Sequence, residues 1–389
     1  MSRLTIDRID AWRVQVPLRN PYHLSRVYGT LTHSNAVLVK ISAGDFCGWG
    51  EADPGGHRFT GDTAPEVFDG IRDGLAEALL GADLQAWVTR GATGGPHAAL
   101  PAAIADRLQG SIGAAFDVAA HDAVAQSRNQ PLWQLLGERQ HDSLPILWPT
   151  SSGSAAEDMD SIRPWLARGF DTFMLKMGER AIADELARLR QVLDQLPEGA
   201  RLMVDANQGW SREEAMAFVE GSRGLPLVLI EQPLAADDLA GLSELRAATA
   251  TPISVDESLQ RAADAQRIID AGAADVFSVK ISKNGGLRPA LEIARTARAG
   301  GVKIMINSMI ELGITQAAAL HAGCVLDNLV DHGHAYMSTL RMADDVTDFS
   351  DWCRDGRAHL PTDRAGLGVR IDAAKIATYT QDEYHVAGH

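Results

Sequence analysis

From about residue 145 onward the chain repeats one unit, a short apolar run followed by an amphipathic helical stretch. The runs are "LPILWPT", "TFMLKM", "RLMVDA", "LVLIEQ", "PISVDE", "VFSVKIS" and "VKIMIN", with stretches such as "AIADELARLRQVLDQL" and "RPALEIARTARAGG" between them. Such alternation predicts parallel strands joined by helices, because a parallel neighbour is reached only by a long crossover. Seven or eight units within roughly 190 residues favour a closed (β/α) barrel over an open sheet. A doubly wound open sheet is the alternative. No glycine-rich phosphate fingerprint follows any run, and "KNGGL" after Lys280 reads as a turn.

The first third has a different texture. Residues 4–18 and 35–51 alternate like antiparallel strands, with a "SAGD" turn dividing the second. Residues 64–137 have helical spacing, and "AAFDVAAHDAVAQSRNQPLWQLLG" stops at Gly137. The last fifty residues, "GLGVRID" among them, read as a segment that returns to the first domain.

Charge narrows the partners. With 36 basic against 51 acidic residues the net charge is −15, which disfavours nucleic acid and anionic membrane. The opening "MSRLTIDRIDAWRVQVPL" has no apolar signal core, and no run reaches the roughly 18 apolar residues of a membrane span. Cys47, Cys324 and Cys353 are scattered, without CxxC, and read as reduced thiols. A cytoplasmic protein with neither nucleic acid nor membrane as partner is expected.

In a (β/α) barrel the site lies where the strands end. The strand ends supply Lys176, Asp205 in "MVDANQGW", Glu231 in "LIEQPL", Asp256 in "SVDES" and Lys280 in "SVKIS". From Asp205 onward they follow at intervals of 26, 25 and 24 residues, one βα unit each. Three carboxylates then sit on consecutive strand ends with a lysine on either flank. Unneutralised they repel strongly, and a hard divalent cation such as Mg²⁺ resolves this with oxygen ligands. No His or Cys stands at these ends, which disfavours zinc. Two plainer readings compete. Each acid could cap the helix that follows, and each lysine could simply pair with an acid. A lysine acting as general base needs its pKa drawn toward neutrality, and burial and a nearby divalent cation both act that way.

With "GWGEADP", "FTGDT", "AAFDVAAHDA", "PLWQLLG", "VDANQGW", "EQPL", "VDES", "VKISKNGGL", "SMIELGI" and "GLGVRID", the chain resembles the enolase superfamily, in its muconate lactonizing enzyme-like subgroup, over almost its whole length. The resemblance implies an α/β fold, a modified (β/α)7β TIM barrel under an α+β capping domain. The cap would span 1–140, the barrel 141–340, and 341–389 would return to the cap. It implies Asp205, Glu231 and Asp256, rather than Glu257, as ligands of Mg²⁺, with Mn²⁺ as a substitute. Lys176 and Lys280 become an acid/base pair on opposite faces of the substrate, supported by Asn207, Glu257 and Glu311. Two mobile cap loops, about 19–32 and 53–62, would set specificity. Arg26, Tyr28, His57 and Arg58 from them, with Ser308 and Asp331, are the substrate-binding candidates; the loop residues could equally be solvated. Relatives are commonly homo-oligomers, and one is expected here.

The implied chemistry is removal of a proton α to a carboxylate. A positioned base supplies roughly 10²–10⁴-fold of a total worth about 8–23 kcal/mol, so most must come from holding the enolate against cations. Three departures bear on this. The subgroup's Lys-x-Lys is here Met174-Leu175-Lys176. The seventh strand end, "IMINSMIE", lacks the His of the mandelate racemase-like subgroup. "LVDHGHAY" places Asp331 and then Gly333 where dipeptide epimerases carry Asp-x-Asp, and its "HGH" reads as structural. A Mg²⁺-dependent racemase or epimerase of a small carboxylate, an amino-acid derivative or hydroxy acid, is the expected function. A cycloisomerase or dehydratase using the same intermediate is the alternative. A non-catalytic ligand-binding relative is disfavoured by the complete set of acids and lysines.

Overall fold

The computed structural model describes residues 4–94, 100–151 and 153–388. Strands β1 (Arg8–His23), β2 (Thr30–Ala43), β3 (Phe46–Ala52) and the distant β14 (Thr380–Ala387) form one antiparallel sheet in the order β14-β1-β2-β3. The alternation expected of β2 is used on both faces. Val37, Val39 and Ile41 join the core of the cap, while Ala36 and Leu38 join the core of the barrel. The helix Gly110–Ser127 lies on the sheet so closely that only glycine fits beneath it. A Cβ on Gly50 would stand 1.8 Å from the Ala115 carbonyl oxygen, and one on Gly48 2.0 Å from that of Ala119. The expected helical region is built of several short helices besides this one.

The apolar runs are strands as expected. β4 (Ser143–Pro145) pairs outside the barrel with β13 (Arg357–His359), which pairs with β12 (Cys353–Arg354). β5 (Leu147–Pro149), β6 (Thr172–Lys176), β7 (Arg201–Asp205), β8 (Leu227–Glu231), β9 (Ile253–Val255), β10 (Val276–Val279) and β11 (Lys303–Ile306) form one curled parallel sheet in sequence order. Its two edges meet through residues 328–335. Val330 N donates to the Ile304 oxygen at 2.9 Å, and Leu147 N donates to the His334 oxygen at 2.9 Å. This closing segment makes only isolated bridges, Ile304 to Leu329 and Ile146 to His334. Helices with one apolar stripe cover the outside; that of Ile182–Leu193 buries Leu186, Leu189 and Val192. Among the described residues no helix is long and apolar enough to cross a membrane.

Candidate active site

Parallel register brings the strand-end side chains together. Lys176 lies opposite Asp205, and Asp205 opposite Glu231. Glu231 is opposite Ser254, two residues before Asp256, and Lys280 directly follows β10. All five side chains are buried. None of the three acids caps a helix. The helices after β7 and β8 are capped by Ser211 and Asp238, each of which accepts a backbone N–H of the first turn.

Amines fill the places between the acids. Lys176 Nζ donates to Asp205 Oδ2, and to Asn207 Oδ1 at 3.2 Å. Lys280 Nζ stands 2.6 Å from Asp256 Oδ2. Lys283 Nζ donates to Asp256 Oδ1 and to its backbone oxygen, both at 2.6 Å. Asn307 Nδ2 donates to Glu231 Oε1 at 2.8 Å. Glu231 Oε2 is buried with no hydrogen-bond partner, as are Oε2 of Glu257 and Oε1 of Glu311.

These contacts set the charges. Burial opposes the charge of Lys176, but Asp205 foremost outweighs burial and raises its pKa above the usual lysine value. Lys280 is raised in the same way, burial being overcome chiefly by Asp256 and then Glu257. The lowering expected of both lysines draws on burial and a nearby divalent cation together; without the cation, each amine is bonded to a carboxylate whose attraction exceeds the cost of burial. Burial raises Glu231 well above the carboxylate range, and the charges of Asp205 and Asp256 add to it. Glu257 is pushed up to about 7 by burial, Asp256 and Asp205. Burial also raises Glu311.

The donor set fits a hard divalent cation. Asp205, Glu231 and Asp256 offer only oxygen, and the unpartnered buried Glu231 oxygen between two aspartates stays favourable only if protonated or met by positive charge. With amines on the aspartates, no group of three or more His, Cys, Asp or Glu side chains among the described residues converges on one point as a ready-made ligand cluster.

A cavity of about 40 Å³ lies over these groups, lined by Lys176, Asp205, Asn207, Asp256, Lys280 and Asn307 on the barrel side. Ser308 also lines it, donating to Glu311 Oε2 and standing 2.5 Å from Ser338 Oγ. Met174, two residues before Lys176 and so on the same face of β6, forms part of the wall. Tyr28 stacks on Phe59, one residue from each cap loop, with ring centroids 3.7 Å apart. Gln208 Nε2 donates to its hydroxyl at 2.8 Å. Phe59 lines this cavity and also an outer space of about 620 Å³.

Other candidates point elsewhere. Arg26 donates to the Gly209 oxygen and pairs with Glu214 at 2.9 Å. His57 Nδ1 is 2.8 Å from the Gly61 oxygen, a contact within its own loop. Arg58 donates to the Val27 oxygen and faces the outer space. Asp331 needs a correction. Its side chain is 95% exposed and 3.7 Å from Arg201, the first residue of β7, so it sits at the opposite end of the barrel from the cavity. The closing segment runs on past it, and Met337 is the residue that reaches the cavity. Much of the first expected loop is strand, since β1 extends to His23 and β2 starts at Thr30.

Three positioning side chains escaped the sequence reading. Lys283 and Asn307 hold the acids as described. Gln232 Oε1 accepts the backbone N–H groups of Asp256, at 2.8 Å, and Ser258, at 3.2 Å, and so shapes the turn that carries Asp256. Gln232 (φ 32°), Asn207 (φ 42°) and Ile310 (φ 98°) hold left-handed backbone, which non-glycine residues adopt at a cost, and all three adjoin the site.

Both regions of the chain match known proteins. Residues 8–137 match the N-terminal domain model of mandelate racemase / muconate lactonizing enzyme, and residues 157–375 match the enolase C-terminal domain-like model. A chloromuconate cycloisomerase of Cupriavidus necator is 30% identical over 380 residues, covering 97% of this chain and 100% of the relative. The L-Ala-D/L-Glu epimerase of Bacillus subtilis is 34% identical over 322 residues, covering 81% of this chain and 84% of that one. Among solved structures, muconate lactonizing enzyme from Pseudomonas fluorescens, complexed with muconolactone, superposes with a TM-score of 0.87 at 28% identity, covering 97% of this chain and 100% of that chain.

Proposed function

Because the chain belongs to the mandelate racemase / muconate lactonizing enzyme family of the enolase superfamily, we propose that it is a metal-dependent racemase or epimerase that takes and returns the proton α to a carboxylate. One observation carries the reading. Lys176 and Lys280, on β6 and just after β10, face one cavity from opposite flanks of the three acids. Transfer of a proton between the two faces of one carbon needs two such groups.

Asp205, Glu231 and Asp256 would hold Mg²⁺, or Mn²⁺ in its place, which would supply positive charge opposite the substrate carboxylate. The chain's own residues do the rest. With Asp205 and Asp256 drawn to the cation, Lys176 and Lys280 would lose the partners that hold them charged and share the proton work, one as the free amine accepting the proton at Nζ from the α-carbon and the other, protonated, delivering one to the far face. The backbone N–H of Asn207 donates to Asp205 Oδ1 at 2.8 Å while its side chain accepts from Lys176 and reaches Glu257, 3.3 Å away; Gln232 holds the backbone N–H of Asp256, and Asn307 donates to Glu231. Phe59 and Leu24 screen the cavity from water, which strengthens every charge interaction within it. A homo-oligomer in the cytoplasm, acting on a small carboxylate without nucleic acid or membrane as partner, completes the proposal.

The cycloisomerase relative matched over nearly the whole chain favours a second reading. In it one lysine is the base, the other stabilises the anion, and the product has a new constitution. Proton NMR in D₂O with a panel of carboxylic acids separates the two. Racemisation exchanges the α-proton and leaves the constitution intact; a product with new bonds supports the second reading. Retention of full activity by both Lys176→Ala and Lys280→Ala would overturn either.

A further inference from the structure

The cavity has two unlike halves. Its barrel side carries all of its charge, and those charges are engaged with one another, Lys176 with Asp205 and Lys280 with Asp256. Its other walls are apolar but for the Tyr22 hydroxyl: Tyr22, Leu24 and Leu31 from the cap, Phe59 from the second loop, and Met174, Met309 and Met337 from the barrel rim. Among the described residues no charged side chain lines these walls. The nearby cations are engaged elsewhere, Arg26 with Glu214, Arg58 with the Val27 carbonyl, and Arg341 with the Pro149 carbonyl and the rings of Tyr22 and Trp148 behind the wall.

Resting on the reaction proposed above, we infer that the substrate carries a single carboxylate and that the group on its α-carbon is apolar and uncharged. The carboxylate belongs on the charged half. The α-substituent then meets the apolar half, where a second carboxylate would lose its water and gain no partner. An apolar group there loses only unfavourable hydration, and the three methionines adapt to its shape.

The test uses the Mg²⁺-loaded protein and two size-matched pairs, N-acetyl-methionine against N-acetyl-glutamate and N-acetyl-leucine against N-acetyl-aspartate. Binding is read by calorimetry and α-proton exchange by NMR in D₂O. The apolar member of each pair is expected to bind at least ~10-fold more tightly. Equal or tighter binding of the acidic member, or no binding by either, overturns the inference. Tighter apolar binding without exchange sustains the substrate class and overturns the reaction. Leu31→Arg sets a cation on the apolar half at a half-buried position, so the arginine can fold without full burial. It is expected to narrow the preference at least ~3-fold, about half a tenfold step in free energy. An unchanged preference overturns the role given to this wall.

Discussion

Lys280 and Lys283 grip opposite oxygens of a single carboxylate, each Nζ lying 2.6 Å from its own oxygen of Asp256. Burial opposes the charge of Asp256, yet the two amines hold its carboxyl well below the usual range. Asp256→Asn would leave two ammonium groups in a dry interior with their shared counter-charge removed. It is expected to lower stability by about 3–5 kcal/mol, read as the shift of a urea unfolding midpoint in the metal-free protein. A loss under ~1 kcal/mol would mean that water reaches the pair.

The two lysines should fail differently. Lys176→Ala and Lys280→Ala are each expected to lower racemisation by roughly 10²–10⁴-fold. Each variant should keep α-proton exchange with one enantiomer only, because the remaining amine faces one side of the carbon. NMR in D₂O with each pure enantiomer reads this, and equal loss with both would argue against separate faces.

Removing the cation should cost stability as well as activity. A chelator is expected to abolish turnover, and Mg²⁺ at 100-fold above its dissociation constant should add about 2.7 kcal/mol. Glu231→Gln removes a buried carboxyl whose ionised form no amine offsets directly, so the metal-free variant is expected to be at least as stable as the parent and to lose the Mg²⁺ increment. Melting curves with and without Mg²⁺ check both statements.

The metal-free protein should weaken as the solution becomes more alkaline. Glu51 accepts hydrogen bonds from Leu312 N and Thr315 N, but burial dominates and pushes it up to about 8 from 4.5. Burial likewise pushes Asp345 up to about 6. Below about pH 6.5 the buried His321 and His334, held down to about 4 and 3, bind fewer protons folded than unfolded and oppose this; above it the folded chain binds more, so stability falls as pH rises from about 6.5 to 8. Each carboxyl contributes a slope of up to about 1.4 kcal/mol per pH unit. Glu51→Gln should flatten the upper part of the curve, and a series of urea titrations measures it.

At the far end of the barrel, Asp331→Ala should leave turnover within ~2-fold and stability within ~0.5 kcal/mol, since its pair with Arg201 is exposed and long. A loss of ten-fold or more in kcat/KM would put Asp331 back at the site.

The barrel strands could be read because five of the seven runs carry at their ends a residue that a core does not tolerate. Lys176, Asp205, Glu231, Asp256 and Lys280 stand out against Val, Leu and Ile, and their even spacing is the βα unit itself. Asp331 misled because the closing segment has bridges but no regular ladder, so alternation does not fix which residue ends it. Lys283 was hidden by its setting. In "KNGG" it looks like an exposed turn residue, and only the fold of that turn carries it back beneath Asp256. Asn307 and Gln232 act by where their amides point, which no pattern of residue types encodes.

The cap is sewn to the barrel by buried acids and one serine. Glu51 receives the first N–H groups of the helix Gly313–Gly323, and Asp117 those of Leu287 and Arg288. Asp53 and Ser282 exchange two hydrogen bonds, 2.7 and 2.9 Å, two residues beyond Lys280. A rigid swing of the whole cap would tear all of these at once, leaving the carboxyls of Glu51 and Asp117 stranded. The Tyr28–Phe59 stack at the loop tips borders both the cavity and the outer space, so parting two rings, rather than moving a domain, would join them.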